Sequence, residues 1–445
     1  MLMRDERGAA LLGGVPLADL IAPAGEAAGG GGAGGLSSGS STPIYAYDLD
    51  AITKEARDLI AAFGKTPHLV AYAMKANSAG PIVRALAAEG CGIEVVTGAE
   101  LAVALACGLP PDRILYSSVA KTDAEIDQAI GTGDRGIFAI QMESVEEILR
   151  VEARARALGR RARTSIRVNP SVTADTHTHI ATGHDEAKFG VARADLPAAW
   201  EALAGAKHVD LMGLSCHVGS QLTRTDDYLA AAREILATAV AREASHGPLS
   251  FINFGGGYGI DYGAGCPVKP ADFARAAVKL IEGSPLAGRT LVVEPGRSMV
   301  AAHGVLCARV IMSKRSRSVP ERRWLMIDAG MNDLIRPALY AARHRIEPLD
   351  SRPPTPESGA PGWRVVGPVC ESSDDFGEHP FHEPPSHVVI RDAGAYGFTM
   401  ASEYNGRPHP TEVFLSGGRV VAVGRPRDAA AWARERAGIG EPAVT

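Results

Sequence analysis

Four groups of residues in this chain are of types that can do chemistry together, and each comes directly after a short apolar segment. They are Lys75 after LVAYAM, His217 after LMGLSC, Gly255, Gly256 and Gly257 after FINF, and Glu294 near Arg297 after TLVV. A partly desolvated lysine amine is a nucleophile toward aldehydes. Bare glycine backbone can approach a phosphate closely, and a carboxylate can hold a pyridine nitrogen protonated. Together these groups predict a site for pyridoxal 5′-phosphate, bound to Lys75 through a Schiff base.

Each of these residues also has an ordinary structural explanation when it is taken alone. A lysine at the end of a strand is usually solvated, a glycine run is often only a turn, and a histidine is often a hydrogen-bonded core residue. Glu294 and Arg297 can form a simple salt bridge. Their joint occurrence after comparable apolar segments favours one common site, in which His217 would lie flat against the cofactor ring.

The segments that must position these residues alternate with helix-like stretches. Their bounds are 68–76, 92–97, 114–118, 137–141, 164–169, 211–219, 251–259 and 290–295. Continuous apolar runs are typical of strands buried on both faces, and Ser, Thr or Asp at the start of the intervening stretches indicates helices. Eight such repeats predict a (β/α)8 TIM barrel, whose strand ends converge at one mouth. An open, doubly wound sheet would show the same alternation.

The alternation stops near residue 302, which indicates a second domain. Strand-like segments then follow one another without long helices, and Gly417-Gly418 between two of them is a hairpin signal. We therefore predict a barrel domain over 44–301 and a mostly β domain, Greek-key or sandwich-like, over 302–445. Residues 1–43 form an N-terminal segment whose Gly/Ser tract is expected to be flexible.

Composition and charge argue against several classes of protein. A net charge of −5 over 445 residues gives no electrostatic case for nucleic acid or anionic membrane. The six cysteines are scattered without a C-x-x-C pair, which predicts a reduced, cytoplasmic protein. His177, His179 and His184 invite a zinc hypothesis, but no compact ligand set of Cys or Glu accompanies them, so a mobile loop is favoured and no metal is predicted.

Seven motifs of the chain resemble those of the diaminopimelate decarboxylase family, which has the alanine racemase-like fold of pyridoxal-phosphate enzymes. They are YAMKAN, HVGSQ, FGGGYGIDY, EPGRSMV, MNDLIRPALY, GPVCESSD and GAYGFTMASEYNGRPHPTEV. The motifs occur in family order, from about residue 44 to about residue 425. The resemblance implies decarboxylation of meso-2,6-diaminopimelate to L-lysine and carbon dioxide, the last step of lysine biosynthesis.

The same resemblance implies roles for individual residues. Lys75 would carry the cofactor, and Cys370 would be the proton donor. Cofactor contacts would come from Lys75, His217, Ser220, Gly255, Gly256, Gly257, Glu294, Gly296, Arg297 and Tyr396. Substrate contacts would come from Arg297, Arg336, Tyr340, Glu371 and Tyr396. The family forms head-to-tail homodimers, so Cys370 and Glu371 would serve the other subunit's site, and the β domain would take in the N-terminal segment.

The charged residues of this set also bear on the reaction. Family members with an arginine at the ring nitrogen are racemases, so Glu294 favours a full electron sink and decarboxylation. Arg297 and Arg336 suit the distal carboxylate of diaminopimelate as fork-shaped donors, and Glu371 suits its distal ammonium. An ornithine-type substrate has only an amine at that end and would need no arginine clamp.

Three residues depart from the family pattern. Glu94 stands where aspartate is expected, Ser373 where glycine is expected, and Glu403 where a small or amide residue is more usual. The last two lie near the substrate end, so two other functions stay open. One is a paralogous decarboxylase of the same fold for another amino acid, in polyamine or secondary metabolism. The other is a binding protein without cofactor, against which the intact Lys75, Glu294 and Cys370 argue.

Overall fold

The computed structural model describes residues 2–21, 42–170, 188–266, 268–317, 319–355, 358–424 and 429–438. The chain divides into two compact units, here called the barrel unit and the β unit. The barrel unit comprises Ile52–Asp261 and Gly265–Met299, and the β unit comprises Met1–Ala51, Tyr262–Ala264 and Val300–Thr445. The Gly/Ser tract up to residue 41 and the three histidines His177, His179 and His184 lie outside the described residues, so the expectations for them stay predictions.

In chain order, the strands are β1 Met3–Arg4, β2 Ala10–Leu12, β3 Val15–Pro16, β4 Ile44–Asp48, β5 His68–Ala73, β6 Gly92–Val95, β7 Ile114–Tyr116, β8 Ala139–Met142, β9 Ala162–Arg167, β10 Val209–Ser215, β11 Phe251–Gly256, β12 Thr290–Glu294, β13 Gly304–Arg315, β14 Arg323–Ile327, β15 Ile346–Pro348, β16 Gly362–Val366, β17 Asp375–Pro380, β18 His387–Ile390, β19 Thr411–Ser416 and β20 Arg419–Gly424. The α-helices are α1 Leu17–Ile21, α2 Leu49–Ala61, α3 Gly80–Ala88, α4 Gly98–Ala106, α5 Asp123–Gly131, α6 Val145–Ala157, α7 Leu196–Gly205, α8 Thr225–His246, α9 Pro270–Glu282, α10 Arg297–Val300, α11 Arg336–Tyr340 and α12 Ala429–Arg436. Single turns of 3₁₀ helix include Met74–Ala76, directly after β5.

Strands β5 to β12 form a closed parallel barrel, which confirms the prediction from the alternating apolar segments. Each strand pairs with the next one in the chain, and β12 closes the barrel by pairing with β5. Apolar side chains from several strands form a cluster in the barrel unit; they are Leu69, Ala71, Leu115, Ala139, Phe251 and Val292. Because all the strands run in parallel, residues at their carboxyl ends share one rim of the barrel.

Helices α4, α5 and α6 of the barrel unit each begin after a Thr or Ser cap, the kind of start that the sequence predicts. The Thr97 hydroxyl accepts the backbone N–H of Glu100 at 3.1 Å, and Ser144 caps α6 in the same way. At the start of α5, Thr122 and Glu125 accept each other's backbone N–H, which completes a capping box. Caps of this kind stabilise a protein by about 1 kcal/mol each and fix where the helix follows its strand.

Lys121 is buried in the barrel unit, with 1% of its side chain exposed. Its ammonium group donates to the carbonyl oxygens of Ser118 at 2.6 Å and Gln141 at 2.7 Å. The third donor reaches the Glu147 carboxylate at 3.0 Å. Three bonds satisfy every donor of an ammonium group, so this lysine ties the loop after β7 to β8 and to the start of α6.

Replacing Lys121 with methionine is expected to lower the free energy of unfolding by about 3–5 kcal/mol, because Glu147 would keep a buried charge without its cationic partner. Urea denaturation followed by circular dichroism measures this loss. Lys54→Met is the matched control, since the ion pair of Lys54 with Asp58 is exposed and should contribute little. Equal stability of the two variants would contradict a structural role for the buried pair.

The β unit is built around a nine-stranded sheet, which confirms a second, mostly β domain. Its main path has the order β17-β16-β14-β13-β4-β19-β20, and β18 pairs with both β13 and β15. The predicted hairpin joins β19 to β20. Gly417 and Gly418 have φ of 58° and 69°, the left-handed conformation that the central residues of a tight hairpin turn require.

Strand β4 lies inside this sheet although it precedes the barrel in the chain. It pairs antiparallel with β13, where Tyr45 faces Leu306, and parallel with β19, where Ala46 faces Val413. The predicted start of the barrel domain at residue 44 therefore differs from the structure, in which the barrel unit begins at Ile52. An apolar strand followed at once by a helix has the same pattern as a β/α repeat, so the pattern alone could not assign β4 to the other unit.

The N-terminal residues also belong to the β unit. Strands β1 to β3 form a small antiparallel sheet. The Arg4 guanidinium donates to the Glu347 carboxylate at 2.6 Å, and the N–H of Ala10 donates to the carbonyl of Leu349 at 2.8 Å. Leu12 is fully buried in a core cluster that this segment shares with β4, β13, β18 and β19.

Neither a membrane-spanning helix nor a metal site is found in the described part of the chain. No helix there is long and apolar enough to cross a membrane. No group of three or more His, Cys, Asp or Glu side chains in the same residues could hold a metal ion. All six cysteines are described, and each is a free thiol.

Candidate active site

Lys75 lies at the carboxyl end of β5, on the 3₁₀ turn Met74–Ala76. Its neighbours Met74 and Ala76 are buried, whereas 41% of the lysine side chain is exposed. Such a turn has three residues per revolution, so it can bury two side chains and present the third at the rim. The lysine Nζ lies 3.1 Å from both carboxylate oxygens of Glu94, a fully buried residue of the adjacent strand β6. Glu94, the residue that departs from the family pattern, thus forms an ion pair with Lys75.

Glu294 ends β12, next to β5 in the barrel, and is 7% exposed. The side-chain amide of Asn253 donates to its carboxylate at 2.6 Å. Burial, and next the negative charge of Glu94, raise the pKa of Glu294 to about 7. A cation placed against Glu294 would therefore be strongly favoured, because it would relieve both effects. A protonated pyridine nitrogen is such a cation.

The end of β11 and the turn that follows it are shaped by glycines that no other residue could replace without moving the backbone. A Cβ on Gly256 would lie 1.9 Å from the carbonyl oxygen of Glu294. Gly257 has φ of 92°, and its Cβ would lie 2.2 Å from the carbonyl oxygen of Gly219. The turn thus leaves bare backbone beside Glu294, which is the concave surface that a phosphate needs. The residues present fit the aldehyde, pyridine and phosphate parts of pyridoxal 5′-phosphate.

His217 follows β10 and is half-buried. Its Nδ1 accepts the backbone N–H of Gly256 at 3.3 Å. Burial, and next the charges of Arg167 and Lys75, hold the pKa of His217 well below its ordinary value. The imidazole is therefore neutral near pH 7, and a neutral ring can lie against an aromatic cofactor without repelling its cationic nitrogen.

The last predicted contacts of the barrel unit come from α10 and the segment after His217. Arg297 is 8% exposed, and its guanidinium donates to the Ser220 hydroxyl at 2.9 Å. Gly296 packs tightly on β5, since a Cβ there would lie 3.1 Å from the Cβ of Ala73. These residues lie at the same rim as Lys75, because they follow β10 and β12.

Arg336 and Tyr340 lie at the two ends of α11 in the β unit. Arg336 is 6% exposed, and its Nη1 lies 3.0 Å from both the Tyr262 hydroxyl and His344 Nε2. The guanidinium carbon also lies 4.8 Å from the centre of the Tyr262 ring. Because an arginine only donates, His344 Nε2 is an acceptor and its Nδ1–H donates to the Arg391 carbonyl at 2.9 Å.

Cys370 and Glu371 are exposed on one loop of the β unit. The N–H of Cys370 donates to the side-chain oxygen of Asn405 at 3.1 Å, and the Tyr404 hydroxyl donates to the Glu371 carboxylate at 2.5 Å. Inside the loop, the buried Asp374 carboxylate accepts the N–H of Val369 at 2.7 Å. The thiol is thus carried by a braced loop.

Tyr396 has φ of 55°, in the left-handed region that a bulky residue rarely adopts. Gly397 follows, and a Cβ there would lie 2.6 Å from the carbonyl oxygen of Ala393. The tight turn holds Tyr396, a predicted cofactor contact, in an unfavourable backbone conformation. Such conformations are common at functional sites.

The barrel unit brings one group of the predicted residues together at its rim. They are Lys75, His217, Ser220, Gly255, Gly256, Gly257, Glu294, Gly296 and Arg297. The other predicted residues, Arg336, Tyr340, Cys370, Glu371 and Tyr396, belong to the β unit. Their roles stay predictions in both units.

Sequence reasoning missed several partners of these residues. Glu94 had a visible signal, a charge inside the apolar run GIEVV, but it was noted only as a departure. Asn253 had a similar signal inside FINF. Tyr404 lies inside the motif GAYGFTMASEYNGRPHPTEV, and His344 lies just after MNDLIRPALY. Nothing in their spacing indicates which side chain they contact.

Comparison with known proteins identifies a family for the chain. Residues 49–301 match the family model described as the pyridoxal binding domain of pyridoxal-dependent decarboxylases. A diaminopimelate decarboxylase of Neisseria meningitidis serogroup A is 38% identical over 392 residues, which cover 88% of this chain and 93% of that protein. The enzyme of that name from Pseudomonas aeruginosa is 37% identical over 387 residues, covering 86% and 90% of the two chains.

Solved structures give the same result. A crystal structure of diaminopimelate decarboxylase from Helicobacter pylori in complex with L-lysine is 34% identical, with a TM-score of 0.81 over 89% of this chain and 97% of that one. A crystal structure of diaminopimelate decarboxylase from m. jannaschii, also in complex with L-lysine, is 33% identical, with a TM-score of 0.80 over 89% and 92% of the two chains.

Proposed function

Because the chain belongs to the diaminopimelate decarboxylase family of pyridoxal-dependent decarboxylases, we propose that it converts meso-2,6-diaminopimelate to L-lysine and carbon dioxide. The observation that carries this proposal is the rim of the barrel unit, where a lysine amine, a buried carboxylate and a bare glycine turn lie on neighbouring strands. These are the groups that an aldehyde, a pyridine nitrogen and a phosphate require.

Pyridoxal 5′-phosphate supplies an electron sink that accepts the electron pair left on carbon when carbon dioxide departs. Lys75 would hold the cofactor through its aldehyde, and Glu94 would keep the lysine Nζ at the rim when the substrate amine displaces it. Glu294 would hold the pyridine nitrogen protonated, and the neutral His217 would cover one face of the ring. The turn at Gly255–Gly257, Ser220 and Gly296 would surround the phosphate.

The proposed substrate has a carboxylate and an ammonium at the end that does not react. Arg297 and Arg336 are mostly buried guanidinium groups and would bind that carboxylate as fork-shaped donors, with Tyr340 and Tyr396 beside it. Glu371 would bind the ammonium. Cys370 would return a proton to the carbon that loses carbon dioxide, which completes the conversion to lysine.

We also propose a homodimer in which Cys370 and Glu371 of each subunit serve the partner's site. Their exposure on a braced loop supports this arrangement, since both side chains are available to a second copy. We place the enzyme in the cytoplasm, where six free thiols stay reduced.

The direct test of the proposed function is carbon dioxide release from meso-diaminopimelate by the purified, cofactor-loaded enzyme, with lysine identified as the product. Ornithine, arginine and lysine serve as competing substrates in the same assay. Faster release from one of these than from diaminopimelate would overturn the proposed substrate in favour of a paralogous decarboxylase. A protein without the visible absorbance of bound cofactor would indicate a binding protein instead.

Replacing Glu294 with glutamine is expected to lower kcat about 10²- to 10³-fold, because the neutral amide cannot hold the ring nitrogen protonated. The pKa of Glu294 is raised to about 7, mainly by burial, so its carboxylate is ionised only above that pH. Cofactor binding by the wild type should therefore strengthen as the pH rises through about 7, and the variant should lack this dependence. Steady-state carbon dioxide release measures kcat, and absorbance titrations measure cofactor binding at each pH. An unchanged pH dependence of binding in the variant would exclude Glu294 as its source.

Replacing Arg336 with lysine is expected to raise KM for diaminopimelate about tenfold or more with little change in kcat. The ammonium loses the fork geometry and the contact with the Tyr262 ring, which would weaken ground state and transition state alike. Steady-state kinetics measure the change, and Arg322→Lys at an exposed position is the control. A fall in kcat at constant KM would place Arg336 elsewhere in the reaction.

A further inference from the structure

Asn253 occupies the space between the two ends of the proposed cofactor site. It lies on β11 and is fully buried. Its Nδ2 donates to the Glu294 carboxylate at 2.6 Å, and its Oδ1 accepts the backbone N–H of Gly255 at 2.8 Å. One short side chain therefore contacts both the carboxylate assigned to the ring nitrogen and the first residue of the glycine turn assigned to the phosphate.

The hydrogen bonds of Asn253 fix which way its amide points. The N–H of Gly255 can only donate, so the atom that faces it must be the oxygen. The NH2 group then faces Glu294 and, at 3.4 Å, the side-chain oxygen of Gln141. Gln141 is itself held, since its amide nitrogen donates to the Ser117 hydroxyl at 3.2 Å. Rotating the Asn253 amide by half a turn would set donor against donor at Gly255.

The same bonds define what the glycine turn can do. The N–H of Gly255 is used by Asn253, and the N–H of Gly256 is used by His217. These two glycines would therefore shape the turn and let the phosphate approach, while Asn253 and His217 hold the backbone in place. Of these two side chains, Asn253 is the one that also contacts the Glu294 carboxylate, so it links the glycine turn to that carboxylate.

We infer that Asn253 is a positioning residue, which aligns the Glu294 carboxylate with the glycine turn so that the ring nitrogen and the phosphate of one cofactor are bound together. This inference rests on the proposed cofactor but not on the proposed substrate. Asn253 touches neither reacting carbon nor substrate in this assignment, and it acts through Glu294 and Gly255.

Two substitutions separate the parts of this role. Asn253→Ala removes the donor and the acceptor. Asn253→Asp keeps an oxygen for the N–H of Gly255 but replaces the donor to Glu294 by a second carboxyl group. Ser165→Ala is the matched control, because Ser165 is buried on the barrel strand β9 and its hydroxyl has no hydrogen-bond partner within the described residues.

Other ionisable groups surround the Glu294–Asn253 pair, and their charges also affect how cofactor binding changes with pH. They are Lys75, Glu94, Arg167, Cys216, His217, Tyr228 and Tyr258. All of them are present in the wild type and in each variant. A new pH dependence in Asn253→Asp alone is therefore due to the introduced carboxyl group.

The experiment titrates full-length protein, freed of cofactor, with pyridoxal 5′-phosphate from about pH 6 to about pH 9. Asn253→Ala should bind about ten- to a hundredfold more weakly, because a bond to a charged group is lost. Asn253→Asp should bind well at the acid end, where the two carboxyl groups share a proton and Glu294 keeps a hydrogen-bonded neighbour. Binding should weaken as that proton leaves, because two ionised carboxylates repel each other and Glu294 is no longer aligned with the glycine turn. Ser165→Ala should match the wild type.

Wild-type affinity and an unchanged pH dependence in both Asn253 variants would overturn the inference. If Asn253→Ala does not fold, the pH dependence of Asn253→Asp decides alone. The double variant with Glu294→Gln gives a separate check, since a residue that acts through Glu294 should cost less in its absence, and full additivity would contradict the role. No substrate is used, so failure of lysine production would leave this result standing and would count only against the proposed function.

Discussion

Lys75→Ala is expected to lose more than about 10⁴-fold in turnover and all covalent attachment of the cofactor. The physical reason is that alanine offers no amine to the aldehyde, while the remaining contacts of the rim act only through hydrogen bonds and packing. Borohydride reduction of the loaded wild-type protein, followed by proteolysis and mass spectrometry, should place the cofactor on the peptide that contains Lys75. The same treatment of the variant should leave every peptide unmodified.

The control for this substitution is Lys65→Ala, at an exposed position on the segment before β5. It should retain full activity and the modified Lys75 peptide. Cofactor found on another lysine in Lys75→Ala would show that the nucleophile had been assigned wrongly. Loss of the visible absorbance without loss of the folded structure, judged by circular dichroism, would agree with the assignment.

Cys370→Ala is expected to lower turnover about 10²- to 10⁴-fold while the cofactor stays bound, because the variant lacks a proton donor for the carbon but keeps the whole barrel rim. Absorbance of the bound cofactor and carbon dioxide release, measured on one preparation, separate these two properties. Cys107→Ala is the control, since Cys107 is a second thiol with partial exposure and no assigned role. Equal losses of cofactor and turnover would argue for a structural role of Cys370.

The proposal that two subunits share each site can be tested with hybrid dimers. Mixing Lys75→Ala with Cys370→Ala should restore part of the activity, because a hybrid dimer has one site with an intact lysine and an intact thiol. Subunit exchange is verified with differently tagged chains. Absence of recovery in an exchanged mixture would place Lys75 and Cys370 of one site on the same subunit.

Much of the fold follows from the sequence because the barrel repeats one local pattern. Each apolar segment is long enough to identify, and parallel strands must bring their carboxyl ends to the same rim. The sequence alone therefore groups Lys75, Glu294 and the glycine turn. Strand β4 was placed in the wrong unit because its neighbours β13 and β19 are far away in the chain. Pairing over such distances leaves no mark on the local pattern.

The buried partners of Lys75 and Glu294 cannot be predicted from the sequence for a related reason. Asn253 meets Glu294 across two adjacent strands, and Glu94 meets Lys75 in the same way. Which side chains face each other is set by strand register and by a bulge between Asn253 and Gly256, both of which depend on the closed barrel. The sequence shows that a polar residue interrupts an apolar run, but not what it touches.

The central position of β4 has a consequence for the order of assembly. During synthesis this apolar strand emerges before the whole barrel, yet its partners in β13 and β19 are made only after residue 303. The barrel can close from segments that are contiguous in the chain, whereas the sheet of the β unit must wait for both flanking regions. Until then Ile44–Asp48 has unpaired edges that can join a foreign strand. A chaperone that holds nascent strands would therefore find β4 without its partners for as long as the barrel is being made.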